Sequence, residues 1–228
     1  MDTHHFPGFA EPVSAWLHLG GVLAFAVWTV FLLRRGRGNT LRLVFLGVFA
    51  FSSLLLLSVS GVYHMLREGG TGRAVLFRLD KAAIFVLIAG TFTPVQGICF
   101  RGIARWGVLG VMWALVATGI TLFTVYFEQL PRGLGTSMYL ALGWIAGASA
   151  VVLWRRHGFA LIRPVVAGGV AYSVGAILLG LGWPTIIPSV IGPHELWHVA
   201  VLTGIALHWS FVYRIAAAPV SGAPPARY

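Results

Sequence analysis

Long apolar runs separated by short polar segments dominate this chain. Seven such runs fall at residues 14–33, 41–66, 76–98, 105–127, 137–154, 164–183 and 194–214. Each is near the ~20 residues that a helix needs to cross a bilayer, and unbroken apolar character over such a length is typical of transmembrane helices. The pattern therefore predicts an all-α integral membrane protein, a seven-transmembrane helix bundle that forms a single domain over residues 1–228. We expect the Ala- and Pro-rich tail from about residue 216 to be disordered.

Small residues and prolines refine this prediction. The segments "LIAGTFTP", "GASA" and "VAGGVAYSVGA" place small side chains where neighbouring helices approach each other in lipid. Pro94 lies inside the third run and is expected to kink it. Pro193 is well suited to the first turn of the seventh helix.

Composition agrees with a membrane protein and narrows its function. The 228 residues are 58% hydrophobic and only 10% charged, whereas a soluble domain carries about 25% charged residues. The net charge of +10 does not indicate nucleic-acid binding, because the arginines form short clusters between apolar runs. A single cysteine, Cys99, excludes an intramolecular disulfide and a site with several thiolates. The N-terminus lacks the features of a removable signal peptide.

The charged residues are divided unequally between the two ends of the bundle. We call the side that holds the N-terminus face A and the opposite side face B. Face B collects eleven of the 16 basic residues: Arg34, Arg35, Arg37, Arg42, Arg101, Arg105, Arg155, Arg156, Arg163, Arg214 and Arg227. Face A holds Arg67, Arg73, Arg78, Lys81 and Arg132, together with all six acids. Basic residues favour the cytoplasmic side. We therefore expect a multi-pass protein of the cell membrane, the inner membrane of a bacterium, with its N-terminus outside and its C-terminus in the cytoplasm.

Three histidines fall at face A in the predicted helices. His194 and His198 are four residues apart at the start of the seventh helix, so they share one helical face. His64 lies in the last turn of the second helix, with Ser60 one turn before it. Asp80, in "FRLDKAAIF", lies near the start of the third helix. Polar side chains from three helices are therefore predicted at a similar membrane depth.

Three neutral imidazoles and a water form an open zinc site of the catalytic type. Zinc would lower the pKa of the bound water, Asp80 is the candidate proton acceptor, and Ser60 is a candidate hydrogen-bond donor to a developing oxyanion. Asp80 has an alternative role, an ion pair with Arg78 or Lys81. His208 lies ten residues beyond His198, about 15 Å along a helix, and cannot share the same metal. We interpret His18, His157 and the His4–His5 pair as interfacial residues.

The segment "HELWH" at residues 194–198 also matches the His-Glu-x-x-His signature of zinc proteases, in which the glutamate is the general base. Intramembrane proteases of the site-2 type take a third ligand from a Leu-Asp-Gly segment. The only Leu-Asp here is in "RLDK", without a following glycine. We therefore do not assign Glu195 as a protease base.

Three blocks of the sequence, "SVSGVYHML", "FRLDKAAIFVLIAGTFTP" and "GPHELWHVAVLTGIALH", resemble the hemolysin III family. "EPVSAWLHLGG" and "VAGGVAYSVGA" extend the likeness to nearly the whole chain. This family comprises bacterial relatives of the progestin and adiponectin receptors, which are similar in turn to alkaline ceramidases. The resemblance implies zinc held by His64, His194 and His198, with Asp80 and Ser60 beside it.

Two positions depart from the family pattern, and the animal receptors differ in orientation. Lys81 follows Asp80 where a histidine or another polar residue is expected, and it would weaken the aspartate as a base. The animal receptors carry glutamine at the position of Glu195, which implies that this glutamate is not the essential base. Their N-terminus is cytoplasmic, opposite to the orientation that the charges predict here.

The family includes three kinds of function, which the residues leave open. The interpretation we favour is a zinc-dependent hydrolase of ceramide-like lipid amides that acts in membrane lipid homeostasis, with membrane lipids as environment and substrate. The alternatives are a receptor-like membrane regulator with a structural zinc and a pore-forming cytolysin. Against a pore, the predicted helix interiors are apolar except near face A; against a receptor, there is no soluble ligand-binding extension. We expect no nucleic-acid partner and no obligate protein partner.

Overall fold

The computed structural model describes residues 10–131 and 133–218, and this part of the chain is built from seven long helices. They are α1 (Pro12–Arg35), α2 (Thr40–Met65), α3 (Thr71–Cys99), α4 (Gly102–Val125), α5 (Leu134–His157), α6 (Phe159–Leu181) and α7 (Pro193–Ile215). All seven are long and apolar enough to cross a membrane. The predicted seven-helix membrane bundle is confirmed, including Pro193 as the first residue of α7.

Two helices begin five residues before the apolar runs that predicted them. Helix α3 starts at Thr71 rather than at 76, and its first turns carry polar residues such as Arg73. Helix α6 starts at Phe159 rather than at 164, because a single residue, Gly158 at φ 83°, connects it to α5. The apolar pattern marks the part of a helix that lies in lipid, whereas the hydrogen-bonded helix continues into the polar boundary.

Helix α3 is the most deeply buried of the seven spans and contacts α2, α4, α5 and α7. Phe49, Phe85 and Phe211, on α2, α3 and α7, are fully enclosed in the main apolar core. Large apolar side chains such as Leu23 and Ile145 remain exposed on the outside of the bundle. An apolar exterior of this kind suits a protein surrounded by lipid chains.

Small residues permit close helix approaches, as the sequence predicts for two of its small-residue segments. A Cβ at Gly90 on α3 would collide with Ser52 of α2. A Cβ at Gly168 on α6 would lie 2.5 Å from the His208 ring of α7. Helix α3 continues through Pro94 to Cys99.

Arginines fasten the helix ends at face B. Arg42 donates to the carbonyl of Gly36 at 2.8 Å and to that of Ala218 at 2.9 Å. Arg214 donates to the Ala160 carbonyl at 3.4 Å, which is the carbonyl left without a helical partner by Pro164. Residues 216–218 therefore pack against the bundle, although composition places them in a disordered tail. Residues 219–228 lie outside the described part of the chain.

The ends of the helices reproduce the two faces inferred from sequence. The starts of α1 and α7 meet the end of α2 at face A, where Glu11 contacts His64 and His194. At the opposite end, Arg35 near the end of α1 donates to the Tyr213 carbonyl of α7 at 2.9 Å. Asp2, Arg132 and Arg227 lie outside the described residues. In the described part of the chain, face A therefore carries both acidic and basic residues, and face B carries basic residues.

Candidate metal centre

Helices α2 and α7 bring three histidines together at face A. His64 is the penultimate residue of α2, and His194 and His198 lie in the first two turns of α7. The candidate ligand atoms of the three side chains all lie within 4.8 Å of one another. His64 and His198 are buried, and His194 is partly exposed at the end of the bundle. The predicted histidine triad is therefore assembled in the fold.

The arrangement fits a metal ion. Nε2 of His194 and Nε2 of His198 face each other at 3.0 Å, and a tetrahedral ion held by two imidazoles at 2.0–2.1 Å would separate their nitrogens by about 3.3 Å. Nε2 of His64 is buried without a hydrogen-bond partner among the described residues. A buried imidazole nitrogen without a hydrogen-bond partner is the kind of atom to which a metal ion would bind. Imidazole donors suit zinc and also copper, iron or nickel.

The two proposed catalytic side chains, Ser60 on α2 and Asp80 on α3, are both buried. Asp80 lies in the third turn of α3, and its Oδ2 is 3.9 Å from Nζ of Lys81. Ser60 is enclosed one turn before His64. Within the described ranges, neither side chain is hydrogen-bonded to a histidine ring, and Asp80 is not part of the metal-binding group. The Asp80–Lys81 pair that was the alternative interpretation is therefore present, whereas Arg78 pairs with Glu128 at 2.8 Å.

Helix α1 supplies contacts to the triad that sequence analysis missed. Oε2 of Glu11, the residue just before α1, lies 2.8 Å from Nδ1 of His64 and 3.6 Å from Nε2 of His194. His18 is fully buried, and its Nε2 is 2.8 Å from Nδ1 of His198. His18 is therefore a buried neighbour of the triad rather than the interfacial residue that the sequence predicts. The spacing of Glu11, Ser14 and His18 at i, i+3 and i+7 was a usable signal, because such residues share one helical face.

Glu11 is held as a carboxylate. Burial by itself would raise the pKa of this carboxyl, but hydrogen bonds from His64 and Arg73 outweigh burial and lower the pKa to about 2. Arg73 at the start of α3 pairs with Oε1, while Oε2 faces the histidines. Both oxygens are therefore engaged as acceptors, and Glu11 is not poised to take up a proton near neutral pH.

Glu195 has a structural position that agrees with our rejection of a protease. Its Oε2 accepts the backbone N–H of Gly192 at 2.9 Å, which caps the start of α7. Its Oε1 accepts the hydroxyl of the buried Ser14 on α1 at 3.0 Å. The glutamate of this His-Glu-x-x-His segment therefore caps its own helix and links it to α1.

His208 belongs to a different part of the bundle, as its distance along α7 predicts. Its Nδ1 donates to the Gly204 carbonyl at 2.8 Å, and its ring lies beside Tyr172 of α6 with the ring centres 5.7 Å apart. His208 lines a cavity of about 550 Å³ between α3, α5, α6 and α7. Trp197 and Val201, on either side of His198 in sequence, line the same cavity. An apolar chamber therefore lies along α7, the helix that carries His194 and His198, although none of the three histidines of the triad lines it.

Comparison with known proteins places this chain among relatives. Residues 7–209 match the family model described as haemolysin-III related. The chain is 30% identical to Hemolysin-3 of Bacillus cereus over 202 residues, covering 86% of this chain and 87% of that protein. It is 31% identical to the Hemolysin-3 homolog of Bacillus subtilis (strain 168) over 198 residues, covering 86% and 89%. Monocyte to macrophage differentiation factor of Homo sapiens is 23% identical over 209 residues, covering 90% of this chain and 72% of that protein.

Proposed function

This chain belongs to the haemolysin-III-related family, and we propose that it is a zinc-dependent hydrolase of ceramide-like lipid amides in the cell membrane. The convergence of three imidazole donors at one end of the bundle supports this proposal above all. Three neutral imidazoles leave one position of a tetrahedral ion open, as in catalytic zinc sites. A structural site more often has four protein ligands.

The apolar chamber supports a lipid as the substrate. Its walls are formed almost entirely by apolar side chains such as Leu87, Ile88 and Val166. A volume of about 550 Å³ falls within the range of roughly 300–1,000 Å³ typical of ligand pockets. The acyl portion of a lipid would lie in this chamber while its polar linkage reaches the histidines at face A.

The chemistry that zinc would supply is a bound water whose pKa falls toward about 7. His64, His194 and His198 would hold the ion. Asp80, the buried carboxylate of α3, would accept a proton during hydrolysis, and Ser60 would donate a hydrogen bond to the developing oxyanion. We assign these roles because Asp80 is a carboxylate, Ser60 is a hydroxyl, and both lie near the face A ends of α3 and α2.

A receptor-like regulator with a structural zinc is the second candidate. One observation favours it: the Asp80 carboxylate lies 3.9 Å from Nζ of Lys81, and among the described residues it does not belong to the group of side chains that could hold the metal. The word hemolysin in the relatives' names suggests a cytolysin, but the nearly apolar walls of the chamber suit a lipid better than a water-filled pore.

Purified protein in detergent tests the proposal. We expect about one zinc per chain by elemental analysis, and hydrolysis of lipid amides or esters that a chelator abolishes and added zinc restores. Metal without hydrolysis of any lipid amide or ester would favour the receptor-like candidate. Protein that neither retains nor binds zinc would refute the proposal.

A further inference from the structure

Helix α1 provides none of the three histidines. Nevertheless, Glu11 just before α1 and His18 on α1 each contact a ring of the triad. We propose that Glu11 and His18 are positioning residues for the metal: Glu11 orients His64, and His18 orients His198. This inference rests on the proposed metal site, which it deepens. In this scheme α1 sets the affinity of a site to which it contributes no ligand.

The Glu11–His64 contact determines which nitrogen of His64 faces the metal. A neutral imidazole has one N–H donor and one acceptor nitrogen. Nδ1 lies 2.8 Å from a carboxylate oxygen that can only accept, so the proton resides on Nδ1. The lone pair is then on Nε2, which is the buried nitrogen left without a partner among the described residues. A carboxylate behind a metal-binding histidine fixes the tautomer and raises the basicity of the ring.

The His18–His198 contact also places a hydrogen-bond acceptor behind a ring of the triad, and here the acceptor is an imidazole. Nε2 of His198 faces Nε2 of His194 at 3.0 Å, so it is the nitrogen available to a shared ion. The proton of His198 is then on Nδ1, which donates to Nε2 of His18 at 2.8 Å. The two rings stand nearly perpendicular, at 84°, with their centres 4.2 Å apart. His18 is therefore an acceptor behind a metal-facing ring rather than a fourth ligand.

Close packing holds α1 in the position that these contacts require. A Cβ at Gly61 on α2 would lie 2.9 Å from the Leu19 side chain, and one at Gly21 on α1 would lie 2.7 Å from the Leu202 side chain of α7. The hydroxyl of Ser14 adds a direct link to Glu195 at the start of α7. Helix α1 is thus packed against both helices that carry the triad. This packing holds Glu11 and His18 in position relative to the histidine rings that they contact.

Substitutions at His18 separate hydrogen bonding from packing. His18→Phe keeps a ring but removes the acceptor, whereas His18→Gln places an amide oxygen near the position of Nε2. We expect His18→Phe to weaken zinc binding by about 10–100-fold, the usual effect of losing an outer hydrogen-bond partner, and His18→Gln to restore most of that loss. His208→Phe on α7 is the matched control, because it removes a buried histidine outside the triad.

Substitutions at Glu11 test the other contact. Glu11→Ala should weaken zinc binding by a similar factor, about 10–100-fold, while Glu11→Gln retains an acceptor for Nδ1 of His64 and should lose less. Glu128→Ala is the control, since Glu128 also pairs with an arginine at face A but lies outside the triad. Its zinc affinity should equal that of the unsubstituted protein.

The measurements are zinc dissociation constants from competition with a chromophoric chelator and visible absorption spectra of the cobalt-loaded proteins. The expected result is weaker binding and a changed cobalt spectrum in His18→Phe and Glu11→Ala, with recovery in the glutamine variants. If the unsubstituted chain binds zinc and the His18→Phe and Glu11→Ala variants bind it equally well, the inference is wrong. Equal weakening in His18→Phe and His18→Gln would also overturn it, because packing would then be the cause. Failure of the unsubstituted protein to bind zinc instead refutes the proposed function.

Discussion

Replacement of Glu195 by glutamine or by alanine distinguishes a helix cap from a catalytic base. The carboxylate accepts the Gly192 N–H at 2.9 Å and the Ser14 hydroxyl at 3.0 Å. A glutamine can replace both contacts, because its amide oxygen accepts from Gly192 and its amide nitrogen donates to the hydroxyl oxygen of Ser14. We therefore expect Glu195→Gln to retain zinc, stability and most lipid hydrolysis.

Glu195→Ala removes both contacts and leaves the buried Ser14 hydroxyl without its partner. Loss of a helix cap costs about 0.5–2 kcal/mol, and loss of a hydrogen bond to a charged group costs about 1.5–3 kcal/mol. Because Glu195 is only partly buried, the lower halves of these ranges apply. The expected loss in the free energy of unfolding is therefore about 2–3.5 kcal/mol.

The assay is denaturant-induced unfolding in detergent, followed by tryptophan fluorescence, with zinc content and lipid hydrolysis measured on the same samples. Ser14→Ala is the matched control, since it removes only the hydrogen bond to Glu195 and should lose about two-thirds as much stability as Glu195→Ala. A Glu195→Gln protein that folds and holds zinc but has lost hydrolysis would refute the capping interpretation. It would instead make Glu195 the general base of a zinc-protease-like site.

Three further predictions follow from the triad, its neighbours and the charge pattern. His64→Ala, His194→Ala and His198→Ala should each reduce zinc per chain in elemental analysis, and His208→Ala should not; equal zinc in all four variants would contradict the ligand assignment. Asp80→Asn should keep zinc, but its rate of lipid hydrolysis should fall by roughly 10²–10⁴-fold, the contribution of a general base, and the rate should fall less in Ser60→Ala. Full lipid hydrolysis in Asp80→Asn would exclude the proposed mechanism. A fluorescent protein fused to the C-terminus should be bright and alkaline phosphatase fused there inactive, because the basic residues favour a cytoplasmic face B; an active phosphatase fusion would reverse the orientation.

The fold was largely predictable because apolar length is a strong physical constraint in a membrane. A run such as residues 105–127 has no alternative to a helix when no water is present to satisfy its backbone. The helix ends were less predictable, since Arg73 and Arg163 lie in helical turns that hydropathy places outside lipid. A hydropathy pattern shows which residues lie in lipid, whereas the backbone hydrogen bonds of a helix continue beyond the lipid boundary.

The triad was predictable for a similar reason. His194 and His198 share a helical face by spacing alone, and alternation of helix direction through the bundle brings the end of α2 to the same face. Only depth along the membrane was needed to group them with His64, and depth follows from position within an apolar run. Which helices are neighbours, by contrast, depends on packing that the apolar pattern does not specify.

The carboxylates at this face show the consequence of that difference. Asp80 and Glu11 both lie within a few turns of face A, and sequence position alone does not rank them as partners of the histidines. In the fold, Glu11 contacts His64 and His194, because α1 packs beside both α2 and α7. Asp80 instead faces Lys81. A carboxylate that contacts the rings governs their tautomers. A carboxylate without a hydrogen bond to the rings, such as Asp80 among the described residues, is instead available to a molecule bound at the metal. Glu11 and Asp80 are therefore suited to different tasks at one site.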